Sequence, residues 1–169
     1  MTLIAAVDRA WGIGRGGALL FRIPADMRRF KALTMGHALL MGRKTFESLP
    51  KLTDGQLALP GRAHGVLSQN PGFAPSGVTV LRAKGEALAW AQGMRAQDRE
   101  LFLIGGALIY EALLDECDTA YITKFDVLGG ADTFMSNLDS LPQWRLTQAG
   151  PWQEDAGLRF RFCTYARVP

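Results

Sequence analysis

Apolar runs of strand length alternate with stretches of helix length along most of this chain, and that alternation restricts the fold more than any other feature. LIAAV precedes PADMRRFKALT, ALLM precedes RKTFESL, GVL and VTVL precede GEALAWAQGMR, and ELFLIGG precedes ALIYEALL. Strands buried on both faces read as unbroken apolar runs, and a helix between two such runs supplies the crossover that parallel pairing needs. The expectation is an α/β fold in three layers, αβα, with a mostly parallel central sheet covered by helices on both faces. The last third differs. There YITKF and GLRFRFCTYARV alternate, with Leu158, Phe160 and Phe162 on one side and Arg159 and Arg161 on the other, as in a strand with one wet face. An antiparallel C-terminal edge is therefore expected. Two stretches carry no period, the glycine-rich residues 9–23 and residues 50–61, and both are expected to be irregular; loops of that size in a compact domain are usually functional.

Length and composition narrow the possible chemistry. A chain of 169 residues, 48% of them hydrophobic, can fill one core and is too short for two ordinary domains, so a single domain over residues 1–169 is expected. The apolar stretch from Leu3 to Val7 is interrupted by Asp8 and lacks the basic flank and length of a signal peptide or membrane span. Cys117 and Cys163 lie far apart without CxxC spacing, which suits a cytoplasmic protein rather than a disulfide framework or thiolate metal site. Only His37 and His64 are present, too few for a zinc shell or a histidine-dependent hydrolase. The net charge of +3 is spread in ones and twos, which disfavours nucleic acid and leaves room for a small anionic ligand. The densest group, Arg28, Arg29 and Lys31, reads as the solvated face of a short helix.

In open α/β sheets, ligands bind where strands lead into helices, and three such junctions stand out. In ALLMGRKTFESL a buried strand ends at Gly42, and Arg43, Lys44 and Thr45 meet the positive end of a helix, a natural phosphate site. It is not a P-loop, because Gly36 is one residue too far from Gly42 and Arg43 intrudes before the lysine. In ELFLIGGALIYEALL, Gly105 and Gly106 lead straight into a helix, where backbone amides can approach a pyrophosphate; a tight turn would equally need two glycines, and no GxGxxG is present. In LLFRIPADMRRF, Pro24 fits a first helical turn and Asp26 follows it. Asp26, Phe30 and Leu33 share one stripe, which turns the acid inward instead of leaving it as a simple dipole complement.

Taken together, LIAAVDR, GIGRGGALLFRIPADMRRFKALTMG, LLMGRKTFESLP, LPGR, VLS, LIGGALIYEALL, YITKF and ADT, in this order over residues 3–133, resemble dihydrofolate reductase. The resemblance implies that family's fold and a reaction in which NADPH gives a hydride to C6 of the pterin of 7,8-dihydrofolate and N5 takes a proton. Asp26 matches the family's acid, which accepts hydrogen bonds from the ring N3 and 2-amino group; a pKa raised by an apolar pocket would let it assist protonation. Ile4 and Ile104 match strand-end carbonyls, Ala5, Phe21, Met27, Phe30 and Leu49 the apolar walls, and Arg62 the clamp on the tail α-carboxylate. Lys31 and Tyr110 fall on the substrate side, and Thr123 matches a hydroxyl behind the acid.

For the cofactor, the resemblance implies Ala6 and Ile13 at the nicotinamide, with Gly14, Gly17, Ala18 and Leu19 in a mobile lid over it from Arg9 to Ile23. Gly42, Arg43, Lys44 and Thr45 would meet phosphate, favouring NADPH over NADH. Gly105, Gly106, Ala107, Leu108 and Ile109 would form the pyrophosphate turn; Leu67, Ser68, Gln69 and Arg82 would meet the adenosine end, and Thr133 would lie nearby. The resemblance further implies antifolates such as trimethoprim as ligands, and no membrane partner or metal. A monomer is expected, since nothing in the sequence suggests an obligate interface. The sequence departs from the family's usual pattern at Phe21, where tryptophan is common, at Ala107 in place of a third glycine, at Gln69, and by an insertion at residues 51–58. Competing expectations are a pyrimidine reductase of riboflavin synthesis on the same fold, a non-catalytic nucleotide-binding module, and a phosphotransferase resting on Gly42 to Thr45.

Overall fold

A computed structural model describes residues 1–50 and 59–169; the insertion at 51–58 lies outside the described residues. The strands are β1 (Thr2–Val7), β2 (Gly12–Arg15), β3 (Ala18–Leu19), β4 (Ala38–Gly42), β5 (Ala63–Leu67), β6 (Thr79–Leu81), β7 (Leu101–Leu103), β8 (Thr119–Phe125), β9 (Thr133–Phe134), β10 (Trp144–Ala149), β11 (Gln153–Asp155) and β12 (Leu158–Arg167). The helices are α1 (Pro24–Thr34), α2 (Arg43–Ser48), α3 (Lys84–Arg95) and α4 (Ala107–Leu113).

The main sheet runs β10-β12-β8-β1-β7-β4-β5-β6, with β11 paired to β12. From β8 to β6 every pairing is parallel, and β12 joins β8 antiparallel, as expected. Alternate residues of the central strands feed opposite layers. Leu3, Leu40 and Leu103 pack with Tyr110 and Leu113 of α4 and Ala87 of α3, whereas Ile4, Leu39, Met41 and Phe102 face Phe30 and Leu33 of α1 and Phe46 of α2. Each large side chain buried in these layers contributes about 1.5–3 kcal/mol, which is why an uninterrupted apolar run is stable only in the centre of such a sheet.

Two expectations are corrected. Residues 9–23 are not wholly irregular: β2 and β3 form a hairpin, and β2 also pairs with β9 in a separate three-stranded sheet. The C-terminal strand does not keep one wet face. Phe160 is buried against Ile23 and Phe125 on one side, but Cys163 and Tyr165 are buried in the main core on the other. Arg159 and Arg161 both lie over the Trp152 ring, at 4.7 Å each.

Helix α1 starts at Pro24, whose missing N–H costs nothing there. Its next amide, that of Ala25, donates to Asp155 Oδ2 of β11 at 2.8 Å, so the sheet edge does the work of a side-chain cap. This contact fixes where the first turn, and therefore Asp26, sits.

Candidate functional site

The carboxyl ends of β1, β4, β5 and β7 open into a cleft of about 1790 Å3. Every candidate residue drawn from the sequence lines it except Thr123, which lies behind Asp26. The lining also includes Arg22, Arg29, Lys84 and Asp132, which the sequence did not single out as site residues. Eight cations and two carboxylates line the cleft, so a chain of small net charge concentrates positive potential where an anionic ligand would enter.

Asp26 is partly buried on the inward side of α1 and accepts a 2.6 Å hydrogen bond from the Thr123 hydroxyl of β8. Burial pushes its carboxyl above the usual aspartate range, while the Thr123 hydrogen bond and the charge of Arg29 pull it back. Arg29 corrects a further expectation. It is not part of a solvated face with Arg28 and Lys31; it is half-buried, with its guanidinium over the rings of Phe162 and Tyr121.

Apolar walls flank the acid. Phe21 stacks on Phe125 with centroids 4.2 Å apart, and Phe30 and Leu49 belong to the layer beneath α1 and α2. Arg62 is held at the far end, with Nε donating to the Pro60 carbonyl and Nη1 to Thr34 Oγ1, each at 3.2 Å, and its guanidinium 6.0 Å from the Phe30 ring centroid. The Tyr110 hydroxyl, buried in α4, donates to the Ile4 carbonyl at 2.8 Å, so one lone pair of that oxygen is already used.

On the other side of β1, two helix starts face each other. Neither α2 nor α4 has a side-chain cap, so their first amides are free for an anion. The Gly42 amide donates to the Gly105 carbonyl at 2.8 Å, locking the two turns together. Glycine is required at both positions: Gly105 has φ +112°, and a Cβ on Gly42 would lie 2.9 Å from Ile109. Lys44 is exposed, whereas Arg43 pairs with Glu47 at 3.0 Å. Arg82 donates to the carbonyls of Ser68, Asn70 and Phe73, so its charge shapes the loop after β5.

Two carboxylates brace the small sheet, Asp8 from the end of β1 and Asp132 from the residue before β9. Buried Asp8 accepts from the amides of Ala10 and Gly12 at 2.8 Å and of Gly129 at 3.0 Å. Asp132 accepts from the Gly16 amide at 2.8 Å and from Thr133 Oγ1 at 2.9 Å, and these bonds hold its pKa below the usual range. Neither residue could be found by local pattern, because the amides they serve are supplied in part by segments more than a hundred residues away in sequence.

A family model described as dihydrofolate reductase matches residues 1–167. The chain belongs to the dihydrofolate reductase family. The dihydrofolate reductase of Mycobacterium tuberculosis is 35% identical over 169 residues, covering 98% of this chain and 96% of the relative. Dihydrofolate reductase type 3 of Salmonella typhimurium is 36% identical over 141 residues, covering 83% and 81%. Among solved structures, dihydrofolate reductase from Enterococcus faecalis complexed with NADP(H) and RAB-propyl superposes with a TM-score of 0.84 at 29% identity, covering 99% of this chain and 96% of the other.

Proposed function

We infer that the chain reduces 7,8-dihydrofolate to 5,6,7,8-tetrahydrofolate with NADPH, and that Asp26 is the residue on which recognition and protonation turn. The observation that carries this is a half-buried carboxyl flanked by apolar walls, short-bonded to Thr123, in the same cleft as two uncapped helix starts. When bound, NADPH supplies the hydride that goes to pterin C6. The chain's own residues do the rest. The Asp26 carboxylate accepts hydrogen bonds from the pterin N3 and 2-amino group, a planar pair that suits two carboxylate oxygens. Because burial favours its neutral form, Asp26 also retains a proton at higher pH than an ordinary aspartate and can assist protonation of N5 through water. Arg62 holds the tail carboxylate, and Phe21, Met27, Phe30 and Leu49 exclude water from the ring.

The donor set beyond β1 fits NADPH. Amides of the Gly105–Leu108 turn and the Thr45 hydroxyl suit a pyrophosphate, and Arg43 and Lys44 suit a 2′-phosphate. Support against the pyrimidine reductase alternative is that Asp26 stands in the first turn of α1 while Arg62 is bonded to Thr34 at the last residue of that helix, both lining one cleft, a separation that suits a substrate with a charged tail. The two free, buried cysteines suit the cytoplasm. The test is Asp26→Asn: turnover near neutral pH should fall by orders of magnitude while NADPH affinity stays nearly unchanged, measured by absorbance at 340 nm and fluorescence titration. Unchanged turnover would remove Asp26 from the mechanism.

A further inference from the structure

Three basic residues follow Asp26 in α1, and one of them is turned away from water. Arg28 and Lys31 are exposed; Arg29 is folded onto the sheet, its guanidinium carbon 4.3 Å from the centroid of Phe162 in β12 and 5.4 Å from that of Tyr121 in β8. Its Nη1 is buried and has no hydrogen-bond partner among the described residues. Rings stabilise a cation through their faces, but a sheltered guanidinium with an idle N–H still needs a nearby anion. Asp26, one turn earlier on the same helix, is that anion. The two act through space: Asp26 takes its short hydrogen bond from Thr123, and no ion pair between Asp26 and Arg29 occurs among the described residues.

Burial pushes the Tyr110 hydroxyl of α4 and the Cys163 thiol of β12 up, so both face this pair as neutral groups, and Tyr121 of β8 presents its ring to Arg29. Strand β1 contributes only Ile4, Ala5 and Ala6 to the cleft, and Arg161 of β12 lies over the Trp152 ring. Arg29 is thus the cation that Asp26 feels, and Asp26 the anion that Arg29 feels.

We propose that Arg29 is a positioning residue for the reduction: clamped between Tyr121 and Phe162 one turn below Asp26, its fixed positive charge keeps that carboxyl ionised, and so able to grip the pterin edge, over a wider pH range than burial would allow. The proposal rests on the role given above to Asp26. Its sign follows from electrostatics. A nearby cation favours the carboxylate, so removing it leaves the neutral acid in place to higher pH. Arginine stays protonated even where burial lowers its pKa, so the charge does not switch off in the working range.

The experiment is the pH dependence of the single-turnover hydride rate for the unaltered protein and for Arg29→Gln, Arg29→Lys and Asp26→Asn. The rate should fall as Asp26 loses its proton, and in Arg29→Gln that alkaline limb should move to higher pH, giving a several-fold faster rate on the alkaline side; Arg29→Lys should restore the original position. A uniform loss of rate in Arg29→Gln with the limb unmoved would mean that Arg29 merely packs, and would overturn the proposal. A limb that persists in Asp26→Asn would instead overturn the role of Asp26 and the proposal with it, so the two failures are distinguishable. A further measurement needs no folded variant: in the unaltered protein, the 15N resonances of the Arg29 guanidinium should shift with the same midpoint as the Asp26 carboxyl carbon. A guanidinium signal indifferent to that titration also overturns the proposal.

Discussion

At the residue scale the site depends on how costly Asp26 is. Its pKa is raised on folding, so between the unfolded and folded values the native state binds more protons, and stability falls as pH rises through that window. Asp26→Asn, inactive by the role given above, should therefore be more stable than the parent above the folded pKa, and the difference should vanish below the unfolded value near 3.8. Each 1 kcal/mol regained raises Tm by about 2–4 °C in a domain of this size, which thermal unfolding at two pH values would detect. Thr123→Val tests the opposite contribution. Removing the hydroxyl takes away a bond that favours the carboxylate, so the Asp26 pKa should rise further and dihydrofolate binding should weaken by roughly tenfold to a hundredfold, in line with about 1.5–3 kcal/mol for a hydrogen bond to a charged group. A titration of dihydrofolate at neutral pH measures it.

At the scale of elements, the junctions after β4 and β7 are legible in the sequence because each is local, a buried run, a glycine, then a helix start within a few residues, and the start of α1 is legible from Pro24 and the stripe that carries Asp26. The small sheet is not. β2 has four residues and β3 two, and their partner β9 lies more than a hundred residues away, so no period could develop. β10 escaped notice for a related reason, since only Trp144 of its six residues is buried and an edge strand with one inward residue shows no alternation. Arg29 was misplaced because a helical wheel locates faces relative to one helix, whereas its surroundings are made by β8 and β12. Asp8→Asn should expose how the small sheet is held. Asparagine leaves one acceptor oxygen and sets an NH2 against an amide, costing about 1–3 kcal/mol, with faster hydrogen exchange at Gly12 and Gly129. For α2, Arg43→Ala combined with Lys44→Ala should raise KM for NADPH about tenfold or more and leave KM for NADH much less changed; equal effects would show that neither cation reads the extra phosphate.

Across the whole molecule, β12 is the element that makes the parallel sheet safe. It covers the edge of β8 over seven paired residues and sends Phe160 into one layer and Cys163 and Tyr165 into the other. A chain ending at Gly157 should leave β8 as a long apolar edge and accumulate in the insoluble fraction, as unpaired edges do. The alternation in GLRFRFCTYARV announced this strand, but could not announce that both of its faces would be covered, because that depends on Trp11, Met135 and Leu138 arriving from elsewhere in the chain.

The bond from the Tyr110 hydroxyl to the Ile4 carbonyl has a consequence for the order of events. It joins the helix that follows the glycine pair to the first strand through a buried hydrogen bond, so the two neighbourhoods share a contact that either guest can perturb. Whatever factor by which the reduced dinucleotide tightens the heterocycle's seat, thermodynamic reciprocity requires the heterocycle to tighten the dinucleotide's seat by the same factor.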